Sequence, residues 1–180
     1  MTSAAATLTT ALGWGTLLLQ LFTLLLIVLF LRERLRGVAS GLLLFIRTWA
    51  LHLGLVAALT GSALTLVYSE IFGFLPCGLC WLQRVFLYPQ VILFALSLWK
   101  KDRGIGDYIL GLSVPGFLIA LYQHFIQVGG TSFLPCPATP GAADCAQRLI
   151  FELGYITFPL MAASLFGFLI VLSYIMRRLS

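Results

Sequence analysis

The first 31 residues carry no charged side chain, and residues 12–31 are predominantly apolar. A helix rising 1.5 Å per residue crosses a hydrocarbon core of about 30 Å in roughly 20 residues, so this run specifies a membrane-spanning helix. A cleaved leader would need a basic stretch before the run and a small-residue cleavage site after it. Here the basic cluster Arg32, Arg34 and Arg36 follows the run instead, and the segment reads as a retained helix. Four further runs repeat the theme, at residues 49–68, 77–98, 108–128 and 154–175. Only 9% of the chain is charged and its mean hydropathy is +1.04, against about 25% charged residues in a soluble domain. The expected fold class is all-α: a polytopic membrane protein with a four-helix transmembrane bundle plus one extra N-terminal transmembrane helix.

Finer features follow from the same pattern. Residues 37–46 are apolar but too short to span, and either lie along the interface or extend the second helix; Gly37 and Gly41 are a weak packing signal. Pro115 is expected to kink the fourth span. Residues 129–153 form the longest loop, with three prolines between 135 and 140, and residues 142–151 are long enough for a short interfacial helix.

The net charge of +5 would raise the question of nucleic acid in a soluble chain. Here the cations fall in short segments between spans: Arg32, Arg34, Arg36 and Arg47; then Lys100, Lys101 and Arg103; then Arg177 and Arg178. With five spans all three groups lie on one side, which the positive-inside rule makes cytoplasmic. No nucleic-acid partner is expected. The N-terminus and all four cysteines then face the outer, oxidising side, and the C-terminus faces the cytoplasm.

The chemistry concentrates at Pro76-Cys77-Gly78-Leu79-Cys80-Trp81-Leu82-Gln83-Arg84. On a helix Cys77, Cys80 and Arg84 share one face, Pro76 suits the first turn, and a thiolate at a helix N-terminus is favoured by the macrodipole. Arg84 stands about 10 Å inside the third span at the helical rise. That is deep for a topological anchor and costly, roughly 2.5–3.5 kcal/mol at the bilayer centre on insertion scales. The stretch reads as a membrane-embedded dithiol/disulfide site. Cys136 and Cys145 form a second pair in the long loop, and a bond between them would be of the exposed type open to thiol attack. A structural zinc site is disfavoured by the spacing of the second pair. Purely structural disulfides are disfavoured because a Cys-x-x-Cys bridge closes too short a loop to stabilise much. His124 lies at a depth close to that of Arg84; alone it reads equally as a packing residue, and together the two could hold a polar ligand head.

These motifs, with Tyr88-Pro89, Tyr122-Gln123-His124 and Cys145-Ala146-Gln147-Arg148, resemble the DsbB/BdbC family of disulfide-bond-formation membrane proteins over about residues 48–178. The resemblance implies a thiol:quinone oxidoreductase of the bacterial cytoplasmic (inner) membrane. It reoxidises a DsbA-like thioredoxin-fold thiol oxidase and passes electrons through Cys136/Cys145 and Cys77/Cys80 to a quinone, ubiquinone or menaquinone. Attack falls at Cys136, Cys80 faces the quinone, and Arg84 and His124 help to bind it. Residues 48–180 are then a four-helix redox core. Residues 1–47 are an added helix with a basic cytoplasmic linker, and the core is expected to work without residues 1–36. A vitamin-K-epoxide-reductase-like quinone reductase is the neighbouring enzyme reading, although there the loop pair precedes the Cys-x-x-Cys. A non-enzymatic membrane subunit with structural disulfides is the reading from a different class.

Overall fold

The computed structural model describes residues 3–37, 40–102, 104–132, 136 and 144–177. These residues form α1 (Ser3–Arg36), α2 (Gly41–Leu66) continued by a π-helical turn (Val67–Ile71), α3 (Gly78–Lys100), α4 (Gly106–Gln127) and α5 (Phe158–Met176). All five helices are long and apolar enough to cross a membrane. The chain is an all-α, multi-pass membrane protein, and its outward faces are apolar, with Leu18, Val56, Ile92 and Leu118 exposed where lipid would lie.

Lipid tails are as apolar as leucine, so close packing and interhelical hydrogen bonds must hold such helices together. Both are present. Gly54 on α2 lies under the ring of Phe94 on α3, and Gly116 on α4 under Phe166 on α5, with no room for a Cβ at either. Inside the bundle Ser113 Oγ on α4 donates to Gln90 Oε1 on α3 at 3.1 Å. The core is built on Phe94, Phe166, Ile109, Leu169, Leu172 and Ile175, all fully buried.

Successive helices alternate in direction and give the bundle two unlike ends. At one end Arg47 forms an ion pair with Glu33 at 2.7 Å and Arg177 with Asp107 at 2.9 Å, near Arg32, Arg34, Arg36, Lys100 and Lys101. At the other end lie the α2–α3 and α4–α5 connections and both cysteine pairs. Arg103, Arg178 and the prolines of the long loop fall outside the described residues.

Of the two readings open for residues 37–46, extension of the second helix holds for residues 41–46, which belong to α2; Ser40 caps it, accepting from the Leu43 N–H at 3.3 Å. Among the described residues nothing lies within 4 Å of where a Cβ would stand on Gly37 or Gly41; Gly37, at φ +69°, supplies the left-handed turn that ends α1. Pro115 lies inside α4, the position from which a kink is expected. Other boundaries differ from expectation. Residues 144–151 form turns and loop with no helix, and α5 starts at Phe158, after a tight turn closed by paired hydrogen bonds between Glu152 and Ile156. Thr157 caps α5, with Pro159 in its first turn.

Candidate functional site

The site begins where α2 ends. The π-helical turn swings Tyr68 inward, where its ring meets Phe158 and Phe74, and Gly73 at φ +71° reverses the chain. No described helix begins until Gly78, so Pro76 lies outside α3 instead of in its first turn. The cap falls to Cys77, because a cap residue must be extended and must offer an acceptor, and proline has no side-chain acceptor. Cys77 has φ −77° and ψ 170°, and its Sγ accepts the Cys80 N–H at 3.3 Å. That same contact folds the two thiols together, with their sulfurs 2.8 Å apart.

Two amides hold this pair. Gln123 on α4 is 1% exposed, and its Nε2 donates to Cys77 Sγ at 3.0 Å and to Cys80 Sγ at 3.3 Å. Its Oε1 accepts from Gln83 Nε2 at 2.6 Å. The Gln83 donor orients the Gln123 amide so that its N–H groups face sulfur, where they would stabilise negative charge.

Arg84 lies one turn further into α3. It is 7% exposed, donates to the Thr65 carbonyl at 2.8 Å and stacks 5.0 Å from the Trp81 ring centroid. Among the described residues no carboxylate pairs with it. A buried cation without a counter-charge is costly, which is the pattern of a group kept for a ligand or a reaction.

Cys77, Cys80, Gln83, Arg84, Gln123 and Gln127 share one cavity of about 480 Å³, whose other walls are largely apolar side chains of α1, α2 and α5. His124 does not line it. One residue along a helix turns the side chain by about 100°, and His124 instead pairs through Nδ1 with Thr157 Oγ1 at 2.8 Å. The structure thus brings Arg84 together with Gln123, while His124 stands behind the α5 cap. Sequence reasoning missed Gln83, Gln123 and Gln127. Their signal was present: an amide is poorly tolerated in hydrocarbon unless it faces the bundle interior.

The second pair is a disulfide, Cys136–Cys145, with Cα atoms 6.0 Å apart. Cys145 is buried and Cys136 half-buried, and both pack into a small cluster with Cys77, Leu79 and Ile126. Gln127 Nε2 donates to the carbonyls of Cys145 at 3.4 Å and Gln147 at 3.1 Å, tying this loop down over the cavity that Asp144, Gln147 and Leu149 help to line. One end of the bundle therefore holds a thiol pair and a disulfide side by side, above a cavity with a cation in its wall. Residues 46–176 match the family model described as "Disulfide bond formation protein DsbB".

The chain belongs to the DsbB family. The SPbeta prophage-derived disulfide bond formation protein B of Bacillus subtilis is 41% identical over 107 residues, covering 59% of this chain and 71% of that protein. The probable disulfide formation protein of Chlamydia pneumoniae is 31% identical over 135 residues, 74% of this chain and 96% of that one. The probable disulfide formation protein C 1 of Bacillus anthracis is 37% identical over 107 residues, 59% and 75% respectively. No solved structure matches the chain. Membership makes this a membrane oxidoreductase of disulfide formation, and the DsbB match begins at Ile46, so α1 lies outside it.

Proposed function

We propose that the protein is a thiol:quinone oxidoreductase that reoxidises a DsbA-like thioredoxin-fold partner on the outer face of a bacterial cytoplasmic membrane. The observation that carries this reading is a Cys-x-x-Cys pair and a buried arginine, paired with no carboxylate among the described residues, in one largely apolar cavity, with a loop disulfide packed against Cys77 beside it.

The orientation rests on the cations gathered at the opposite end of the bundle, which puts the N-terminus and the cysteines outside. A reduced partner's thiolate attacks Cys136 Sγ, the more exposed half of the loop disulfide, and Cys145 leaves as thiolate. The partner's second thiol then displaces Cys136, so that the partner is oxidised and the loop pair holds both electrons. Exchange with a Cys77–Cys80 disulfide moves them one pair inward. The residues fit a quinone: an apolar cavity of about 480 Å³ receives a lipid-soluble ring, and Arg84, Gln83 and Gln123 supply hydrogen-bond donors beside the sulfurs. When bound, ubiquinone or menaquinone would supply the two-electron, two-proton acceptor that side chains lack. Arg84 stabilises the Cys80 thiolate and offers a fixed cation to negative charge developing at an oxygen. His124 acts as a positioning residue, holding Thr157 beside the cavity-lining Phe158 and Pro159.

The test is a turnover assay with purified protein, reduced partner and quinone. Quinone absorbance should fall in step with partner oxidation. Oxidation of the partner with no loss of quinone, under anaerobic conditions, would refute the acceptor assignment.

A further inference from the structure

The helix that the DsbB match leaves out is built into the cavity. Leu12, Gly15, Thr16 and Leu19 of α1, spaced i, i+3, i+4 and i+7, line the same space as Cys80 and Arg84. The stretch is fastened at both ends by polar contacts, which orient a helix in lipid where apolar burial cannot. On one side Thr9 Oγ1 pairs with Tyr68 OH at 2.8 Å. On the other, Gln20 Nε2 donates to Ser164 Oγ at 2.8 Å and Gln20 Oε1 accepts from Tyr155 OH at 2.9 Å. Between them Gly13 meets Glu152 so closely that an added Cβ would stand 3.0 Å from the glutamate Cβ.

The cavity is chemically divided. Its amide and guanidinium donors lie on α3 and α4, at Gln83, Arg84, Gln123 and Gln127, with further polar side chains at the end of α2 and its π-helical turn (Thr65, Tyr68, Ser69) and in the loop (Asp144, Gln147). The α1 wall offers leucine, glycine, and a threonine whose hydroxyl is already bonded to the Leu12 carbonyl at 2.7 Å. A ligand with a polar head and an apolar tail therefore meets amide and guanidinium donors on α3 and α4 and an apolar wall on α1. We infer that α1 forms the tail-side wall of the quinone site, so that residues 12–19 select for the isoprenoid tail while the head is read by α3 and α4. The inference rests on the quinone reading above. It also revises the expectation that residues 1–36 are dispensable: thiol exchange survives without them, but recognition of the tail does not.

Gly15 is the position to test. It lies at the exposed rim of the cavity, with nothing within 4 Å of where a Cβ would stand, so leucine fits without a clash and favours the helix. Two measurements on the full-length protein in detergent decide the matter: equilibrium binding of a tailless and an isoprenoid-tailed quinone, and photo-crosslinking of wild type by a quinone with its photoreactive group on the tail. Gly15→Leu should weaken binding of the tailed quinone about tenfold, the equivalent of roughly two buried methylenes lost, and leave the tailless quinone unchanged. Adducts should fall within residues 12–19. Adducts confined to α2, α3 and α5, equal weakening of both quinones, or unaltered binding of the tailed one each overturn the inference. If wild type binds neither quinone, the quinone reading itself fails, and this inference with it.

Discussion

The two cysteine pairs sit within one small cluster, yet they are mounted in opposite ways. Cys77 and Cys80 are part of a helix: one is its cap, the other its third residue, and both sulfurs are gripped by the buried Gln123 amide. Cys136 and Cys145 belong to a connection without helix or strand among its described residues, held to the bundle by Gln127 through backbone carbonyls. A fixed pair suits a reaction that needs alignment with a ligand in a pocket. A pair in a loop, with one cysteine only half-buried, suits exchange with a macromolecule that must reach it. The difference teaches that disulfide chemistry alone does not set a cysteine's role; what each sulfur is attached to does.

Breaking the fixed pair should have the largest effect. Cys80→Ser should abolish quinone reduction, by roughly a thousandfold or more as for loss of a nucleophile, while the loop disulfide still reacts with the partner. Partner-dependent quinone turnover in this variant would remove Cys80 from the path. Arg84→Gln should slow quinone reduction about a hundredfold, the order seen when a charge-stabilising donor is removed. Arg84→Lys should recover part of this, because a point charge cannot reproduce the guanidinium fork. Single-turnover quinone absorbance separates this from partner exchange, which should be unchanged. Gln123→Leu sharpens the comparison further. It removes the donors from both helix sulfurs and none from the loop pair, and should slow the quinone step about tenfold. Its signature is a lower thiolate absorbance of reduced Cys77/Cys80 near neutral pH, with Cys136/Cys145 unaffected. His124→Ala should cost least, about fivefold, since it loses one neutral hydrogen bond to Thr157; a defect as deep as that of Arg84→Gln would place His124 in direct contact with the reacting groups.

The sequence made the five spans legible because hydrocarbon demands long apolar runs and loops collect the charges. The Cys77–Cys80–Arg84 stripe was legible too, from helical periodicity alone. The rotation of α4 was harder to read. Gln123 and His124 are neighbours at almost the same depth, and depth alone does not separate them. The structure turns the amide to the sulfurs and the imidazole to Thr157. The four glutamines Gln83, Gln90, Gln123 and Gln127, all buried, marked the inward faces of α3 and α4, but an amide draws less notice than a titratable ring. The cap at Cys77 was hidden for another reason: sulfur is an uncommon capping acceptor, so Pro76 seemed the natural start of α3. The part played by α1 was illegible because leucine and glycine against a cavity look like leucine and glycine against lipid.

The central claim is the division of labour between the pairs: the loop disulfide meets the partner, and the helix pair does not. It is tested most directly with a partner variant that keeps only its attacking cysteine, added in reduced form to the fully oxidised wild-type protein. The mixed disulfide is then located by mass spectrometry after free thiols are blocked. The account predicts a partner adduct on Cys136, with Cys145 released as the leaving thiol. An adduct formed first on Cys77 or Cys80, with the Cys136–Cys145 bond intact, would contradict it.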